Sequence, residues 1–270
     1  MAELVRRVDP DRYFSALFAP VSARPRLMTL YAFNHEVARV AETVRQPMMG
    51  EIRLEWWRET LESARSGTPR NHDVARGLAD LFRTHPLPAA LFHAMLDART
   101  FDSSAEQFAD WSEAEAYCDA TSGNLMRLAA RILGGDETVD ELAREAGIAY
   151  ALSGFIRALP FHAARHKVYL PRDLLDAVGL APDQLMTGTF DVKIRAAIAQ
   201  TSLKARDHWR AAKRLRVPRA LLPAFLPAAL VPLYVRRARR PWFNPLQHSG
   251  DVAQHRKQMA LLSANWRRTL

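Results

Sequence analysis

Apolar residues in this chain recur at spacings of three and four from one end to the other, and no segment alternates apolar and polar residues over the length of a strand. That pattern constrains the fold more than any other feature. A 3.6-residue period lays an apolar stripe along one helix face, whereas a half-buried strand needs a period of two. Residues 24–45 read as one long helix with Leu27, Leu30, Tyr31, Asn34, Val37 and Ala41 on a common face. Residues 51–65 form the next, stopped by Ser66-Gly67-Thr68-Pro69, and residues 71–83 and 88–101 form two more, split by His85-Pro86. Two capping boxes follow. Ser112 with Glu115 opens a helix running to Leu133, stopped at Gly134-Gly135, and Thr138 with Glu141 opens one that Pro160 ends or kinks. A basic amphipathic helix covers 193–216, and a last helix covers 252–268. The fold class is all-α. With 270 residues, 49% of them hydrophobic, the chain can bury a full core, and it reads as a single domain, 1–270.

Charge narrows the partners. Lys+Arg number 38 against 29 Asp+Glu, a net charge of +9 carried almost wholly by arginine. Such a surface favours anions: a membrane, diphosphate groups or an acidic protein. No recognition motif accompanies the charge, so nucleic acid is not expected. The single cysteine, Cys118, excludes a disulfide framework and a cysteine zinc site. The first residues, Met1 to Arg7, carry no apolar signal core, as expected for a bacterial chain or an already processed one. Residues 220–235 are the most apolar stretch, interrupted by Pro223, Pro227 and Pro232, and at 16 residues they fall short of the roughly 20 that span a bilayer. Arg236, Arg237, Arg239, Arg240 and Trp242 follow directly. Two readings stay open: a membrane-surface element, or a core helix edged by a solvated charge run.

Two segments stand out as candidate sites. The first is Tyr31-Ala32-Phe33-Asn34-His35-Glu36-Val37-Ala38-Arg39-Val40-Ala41-Glu42, and the second runs from Gly154-Phe155-Ile156-Arg157-Ala158 through Pro160-Phe161-His162 to Arg165-His166-Lys167-Val168-Tyr169-Leu170-Pro171. Carboxylates three or four residues apart on a helix share a face. Two such helices facing across a bundle can cage Mg²⁺, which demands oxygen ligands, against a diphosphate leaving group. Here the first segment holds only Glu36 and Glu42, and the second holds no acid.

Both segments resemble the two aspartate-rich motifs of the squalene/phytoene synthase family. Further resemblance lies, in family order, in Asp11-Arg12-Tyr13-Phe14, Leu54-Glu55-Trp56-Trp57-Arg58, Tyr117-Cys118, Ser122-Gly123-Asn124-Leu125-Met126 and Lys167-Val168-Tyr169-Leu170-Pro171. Carried over residue by residue, the acids of the first motif fall on Ala38, Arg39 and Glu42, and those of the second on Ala158, Phe161 and His162. The chain is most similar to the non-catalytic branch containing mitochondrial complex I assembly factor 6, through Ala32-Phe33-Asn34-His35-Glu36, Ile156-Arg157-Ala158-Leu159-Pro160-Phe161-His162 and Trp266-Arg267-Arg268-Thr269.

That resemblance implies an isoprenoid-synthase-like helical bundle with a central cavity. It also implies a role in assembling respiratory complex I, with a complex I subunit or assembly intermediate as partner, at the cytoplasmic face of the membrane. No catalytic residue, metal or cofactor is expected. The former metal positions are Ala38, Glu42, Ala158 and Phe161. Arg39, Arg157, His162, Arg165 and Lys167 are the candidate anion site, able to hold an anionic or isoprenoid lipid without metal. One rival is a working prenyltransferase that joins two prenyl diphosphates through Glu36, Glu42 and Asp97. Another is a lipid or isoprenoid carrier. His35, Glu36, His162 and His166 could also offer metal ligands, though their spacing does not make them converge. Asp97 and Asp102 read as helix-pairing surface groups, and Trp56-Trp57 as core plus flank.

Overall fold

The structure is a computed structural model that describes residues 1–44, 46–186, 191–244, 246–248 and 250–270. Among them every regular element is a helix. The helix Asp140–Arg157 is the central one, with twelve of its 18 residues buried. Its most extensive partner is the long helix Val192–Arg214. On its other side it crosses a π-helical turn, Asp119–Gly123. The crossing needs two glycines. A Cβ added at Gly147 would lie 2.5 Å from the backbone N and Cα of Gly123.

The helix Arg24–Ala38 packs against the helices Ala2–Val8, Asp73–Thr84 and Asn124–Ile132, with Leu27, Leu30, Tyr31, Phe33 and Val37 buried. The expected helix over 24–45 breaks at Arg39, and only one short turn, Val40–Thr43, continues it. Arg45 lies outside the described residues. Pro47 opens the next helix, Pro47–Arg65, and the residue before a proline is driven out of the helical region; Gln46 is extended, at φ −123° and ψ 137°. The same proline moves that helix's start four residues ahead of the expected Glu51.

The capping boxes are displaced as well. Asp110, not Ser112, caps the helix Trp111–Cys118: its carboxylate accepts from the Glu113 amide at 3.0 Å, and Glu113 accepts in return from the Ala109 amide at 2.7 Å. The chain then passes through the π turn into Asn124–Ile132, and Gly134, at φ +89°, ends it as expected. Thr138 is not a cap either. Asp136 accepts from its amide at 3.0 Å and opens a short turn before the central helix begins at Asp140. Pro160 does break the chain, which leaves the helix at Arg157 and resumes as Leu159–Ala163.

Residues 219–238 place most of the apolar stretch inside the fold. They are long and apolar enough by composition to cross a membrane, yet 67% of the most apolar window is buried in the fold. Three-ten and α-helical turns alternate through it, and Leu222, Phe225, Leu226, Leu230 and Tyr234 join the main core. The apolar face is therefore core. A smaller core forms where Ile156 and Leu159 meet Val168, Leu170, Leu175 and the start of the Val192–Arg214 helix.

Candidate functional site

The two motif segments face each other across one cavity of about 640 Å³. Ala38 and Glu42 line it from the first segment, and Ala158, Phe161, His162, Arg165 and Lys167 from the second. Small side chains on both sides keep it open: Ala38 and Ala41 face Ala151, Gly154 and Ala158.

Two of the expected basic residues are not there. Arg39 stands one residue past Ala38, about 100° further round the helix, so the two cannot point the same way. Its side chain is 43% exposed and lies 3.9 Å from Glu36. Arg157 turns away to Asp11, at 2.9 Å, and its guanidinium sits 4.3 Å from the Tyr234 ring centroid. The other three do line the cavity, each in a different state. Burial pushes the His162 imidazole down to about 4, so it is neutral at pH 7, and its Nδ1 is buried without a partner. The Lys167 ammonium is lowered to about 8, chiefly by burial, with Asp102 and Glu106 opposing. All three of its protons are engaged, donating to the carbonyls of Phe101 (2.6 Å), Ser104 (2.9 Å) and Glu106 (3.0 Å), so it closes the C-terminal end of the helix Ala89–Ser103. Arg165 is exposed at the rim, over the Phe161 ring at 3.6 Å.

The carboxylates do not assemble a metal cage. Glu36 faces Arg39, Asp97 pairs with Arg58 with its side chain 64% exposed, and Glu42 alone of that set reaches the cavity. The other acid in the cavity is Asp102. It reads from sequence as a surface group, but its side chain is only 5% exposed. It accepts from Arg99 on Oδ2 (3.0 Å) and from the Tyr117 and Tyr169 hydroxyls on Oδ1 (2.6 and 2.8 Å), which occupies most of its acceptor sites. Among the described residues no three His, Cys, Asp or Glu side chains converge as a metal site, the four residues from His35 to His166 included. The donor set that remains does not fit Mg²⁺, which needs several free oxygen ligands in octahedral geometry.

Arg12, Arg99, Asp102, Tyr117 and Tyr169 thus belong to the cavity wall although sequence reasoning gave them no role in it. Arg12 is bound to Asp9 at 2.7 Å and lies 4.8 Å from the Tyr150 ring centroid. One signal was present: Arg99 and Asp102 stand three apart on one helix, the spacing of a side-chain pair.

The run Arg236, Arg237, Arg239, Arg240 and Trp242 lies outside this cavity. Trp242 is 64% exposed, with Arg237 and Arg240 each 5.2 Å from its ring centroid.

Comparison with known proteins agrees with this architecture. Human complex I assembly factor 6 is 27% identical over 270 residues, covering 99% of this chain and 81% of that protein. The 15-cis-phytoene synthase of Synechococcus elongatus is 23% identical over 228 residues, covering 78% and 73%. A crystal structure of a dehydrosqualene synthase in complex with ligand superposes with a TM-score of 0.82 over 99% of this chain and 94% of that one, at 17% identity. The sequence profile of squalene/phytoene synthase matches residues 5–259, and the chain belongs to that family.

Proposed function

We propose that this chain is a non-catalytic member of its family that assists assembly of respiratory complex I from the cytoplasmic face of the membrane. The assembly role is supported by the likeness to complex I assembly factor 6 over nearly the whole chain. The observation that carries the non-catalytic reading is the cavity wall. Ala38, Ala158, Phe161 and His162 stand where the resemblance puts metal-binding acids, and Asp102, the only buried carboxylate there among the described residues, is engaged by three neighbouring donors. The C-terminal helix Gln254–Arg267 presents Met259, Leu262 and Trp266, exposed by 68%, 57% and 83%, at helical spacing. That stripe suits contact with a protein partner.

The reading is tested in two steps. Purified protein given farnesyl or geranylgeranyl diphosphate with Mg²⁺ forms no squalene- or phytoene-type product above a no-enzyme control. Affinity capture from detergent-solubilised membranes enriches complex I subunits, and Met259→Ser with Trp266→Ser reduces that enrichment. Product formation overturns the first part, and capture without complex I subunits overturns the second.

A second reading, a carrier of an isoprenoid or anionic lipid, is favoured by the size of the cavity and by its aromatic wall of Tyr117, Phe155, Phe161 and Tyr169. Diphosphate or a prenyl diphosphate analogue would then bind equally with and without EDTA.

A further inference from the structure

A separate groove of about 480 Å³ lies between the helices Val192–Arg214 and Val231–Ala238. Four arginines line it: Arg206, Arg236, Arg239 and Arg240. None has a carboxylate within 4 Å among the described residues, and the neighbouring Asp207 is taken by Arg210 at 3.7 Å. Trp209, Val231 and Val235 supply an apolar floor. The Lys213 ammonium sits 5.0 Å from the Trp209 ring centroid and adds to the positive field.

Two buried donors here have no partner, Nε of Arg206 and Nε1 of Trp209. Buried donors are rarely left unpaired, because the desolvation cost is not recovered. Four like charges drawn into one groove also repel one another. An anion with several acceptor oxygens would relieve both. Arginine's fork matches phosphate oxygens, and the indole N–H can take another. The floor of Trp209, Val231 and Val235 gives an attached apolar chain somewhere to lie, which a bare inorganic anion would not use. Trp242, exposed beside the groove and flanked by Arg237 and Arg240, is the kind of ring that settles at head-group depth.

We propose that this groove binds the phosphate of a phospholipid at the membrane surface, with the start of an acyl chain on its apolar floor. Through it the chain holds to a bilayer by a defined site on the arginine side, while the apolar segment up to Leu230 stays in the core. The proposal is independent of the assembly role and of the central cavity.

The test uses the full chain and dihexanoyl phosphatidylglycerol below its micelle concentration, with inorganic phosphate as a second ligand and vesicles of phosphatidylcholine with phosphatidylglycerol as a third. The groove variant is Arg206→Gln with Arg239→Gln. The control, Arg6→Gln with Arg7→Gln, removes the same charge from exposed positions on the helix Ala2–Val8. At roughly fivefold per arginine, the groove variant binds the short-chain lipid about twenty-five-fold more weakly, and the control changes less than about threefold. Vesicle binding falls in the same order. Trp209→Phe keeps the ring, loses the donor and weakens binding severalfold, which reads out the site even if the double variant folds poorly. Equal loss in groove and control variants means diffuse charge only and overturns the site. Inorganic phosphate binding as tightly as the lipid overturns the lipid assignment. Absence of saturable binding overturns the proposal altogether.

Discussion

Asp11→Asn is the sharpest single test of how this fold is tied together. The Asp11 carboxylate is 3% exposed and accepts from Lys257 Nζ at 3.0 Å, Arg157 at 2.9 Å, the Tyr150 hydroxyl at 2.9 Å and the Tyr234 hydroxyl. Those donors come from the central helix, the Val231–Ala238 helix and the C-terminal helix. Burial pushes the carboxyl upward, but Arg157 and Lys257 outweigh it, and the group is held at about 2. Amidation leaves two cations facing a neutral group. Removing one partner of a buried pair costs about 3–5 kcal/mol. Asp251, 2.9 Å from Lys257 and half exposed, still neutralises part of that charge, which puts the expected loss near the lower end, about 3 kcal/mol. In a chain of this size that lowers the melting midpoint by roughly 6–12 °C.

Urea unfolding gives the free energy directly, and Lys257→Met in the Asp11→Asn background should recover part of the loss by removing the stranded ammonium. A loss under about 1 kcal/mol would falsify the account of Asp11 as the neutralising centre. The pH dependence follows from the direction of the shift. A carboxyl held at about 2, against an ordinary 3.8, stabilises the fold fully above about pH 4 and loses that contribution as pH falls toward 2. Asp11→Asn should therefore flatten the acid limb of the stability curve and leave the range from pH 5 to 8 parallel to wild type.

Three further outcomes are expected. Gly147→Ala should cost at least about 2 kcal/mol in denaturant titration, since its Cβ meets the Gly123 backbone at 2.5 Å; a change within about 0.5 kcal/mol would mean the two helices separate freely. If Lys167 contributes charge to an anion in the central cavity, diphosphate affinity by calorimetry should fall as pH rises through about 8, where the ammonium deprotonates, and a flat profile between pH 7 and 9.5 would exclude it. Asp102→Asn should destabilise by about 2–4 kcal/mol in thermal melts, because Arg99 is then left buried beside a neutral amide, whereas Asp97→Asn, with its exposed pair to Arg58, should cost less than about 1 kcal/mol.

The helical class and the order of elements were legible because periodicity and the stop signals at Gly134 and Pro160 act locally. What failed were competitions between local signals. Ser112 and Glu115 have capping-box spacing, but Asp110 and Glu113 have it too, and only the fold decides which pair bonds. Residues 24–45 keep a helical stripe throughout, yet the helix ends at Ala38, and downstream Pro47 holds only Gln46 extended. At the site, Ala38, Ala158, Phe161 and His162 were placed by resemblance alone and do face one cavity. Arg157 was not placeable, since the acid that captures it lies 146 residues earlier in the chain. Asp102 was misread for a similar reason: nothing near it in sequence announces Tyr117 and Tyr169.

The cavity wall carries cations, but its charge is largely spent at home. Arg12 is held by Asp9, Arg99 by Asp102, and Lys167 by three carbonyls, while His162 is neutral at pH 7. The cavity is therefore not simply an anion site. Arg165 at the rim is the one wall cation without an ion pair or hydrogen bond among the described residues. The space itself is kept open by alanines and a glycine on both motif helices, where larger side chains would close it and recover apolar burial. An open cavity with aromatic walls and little free charge fits a mostly apolar guest carrying at most a weakly held anionic end, and fits a metal-bridged diphosphate poorly.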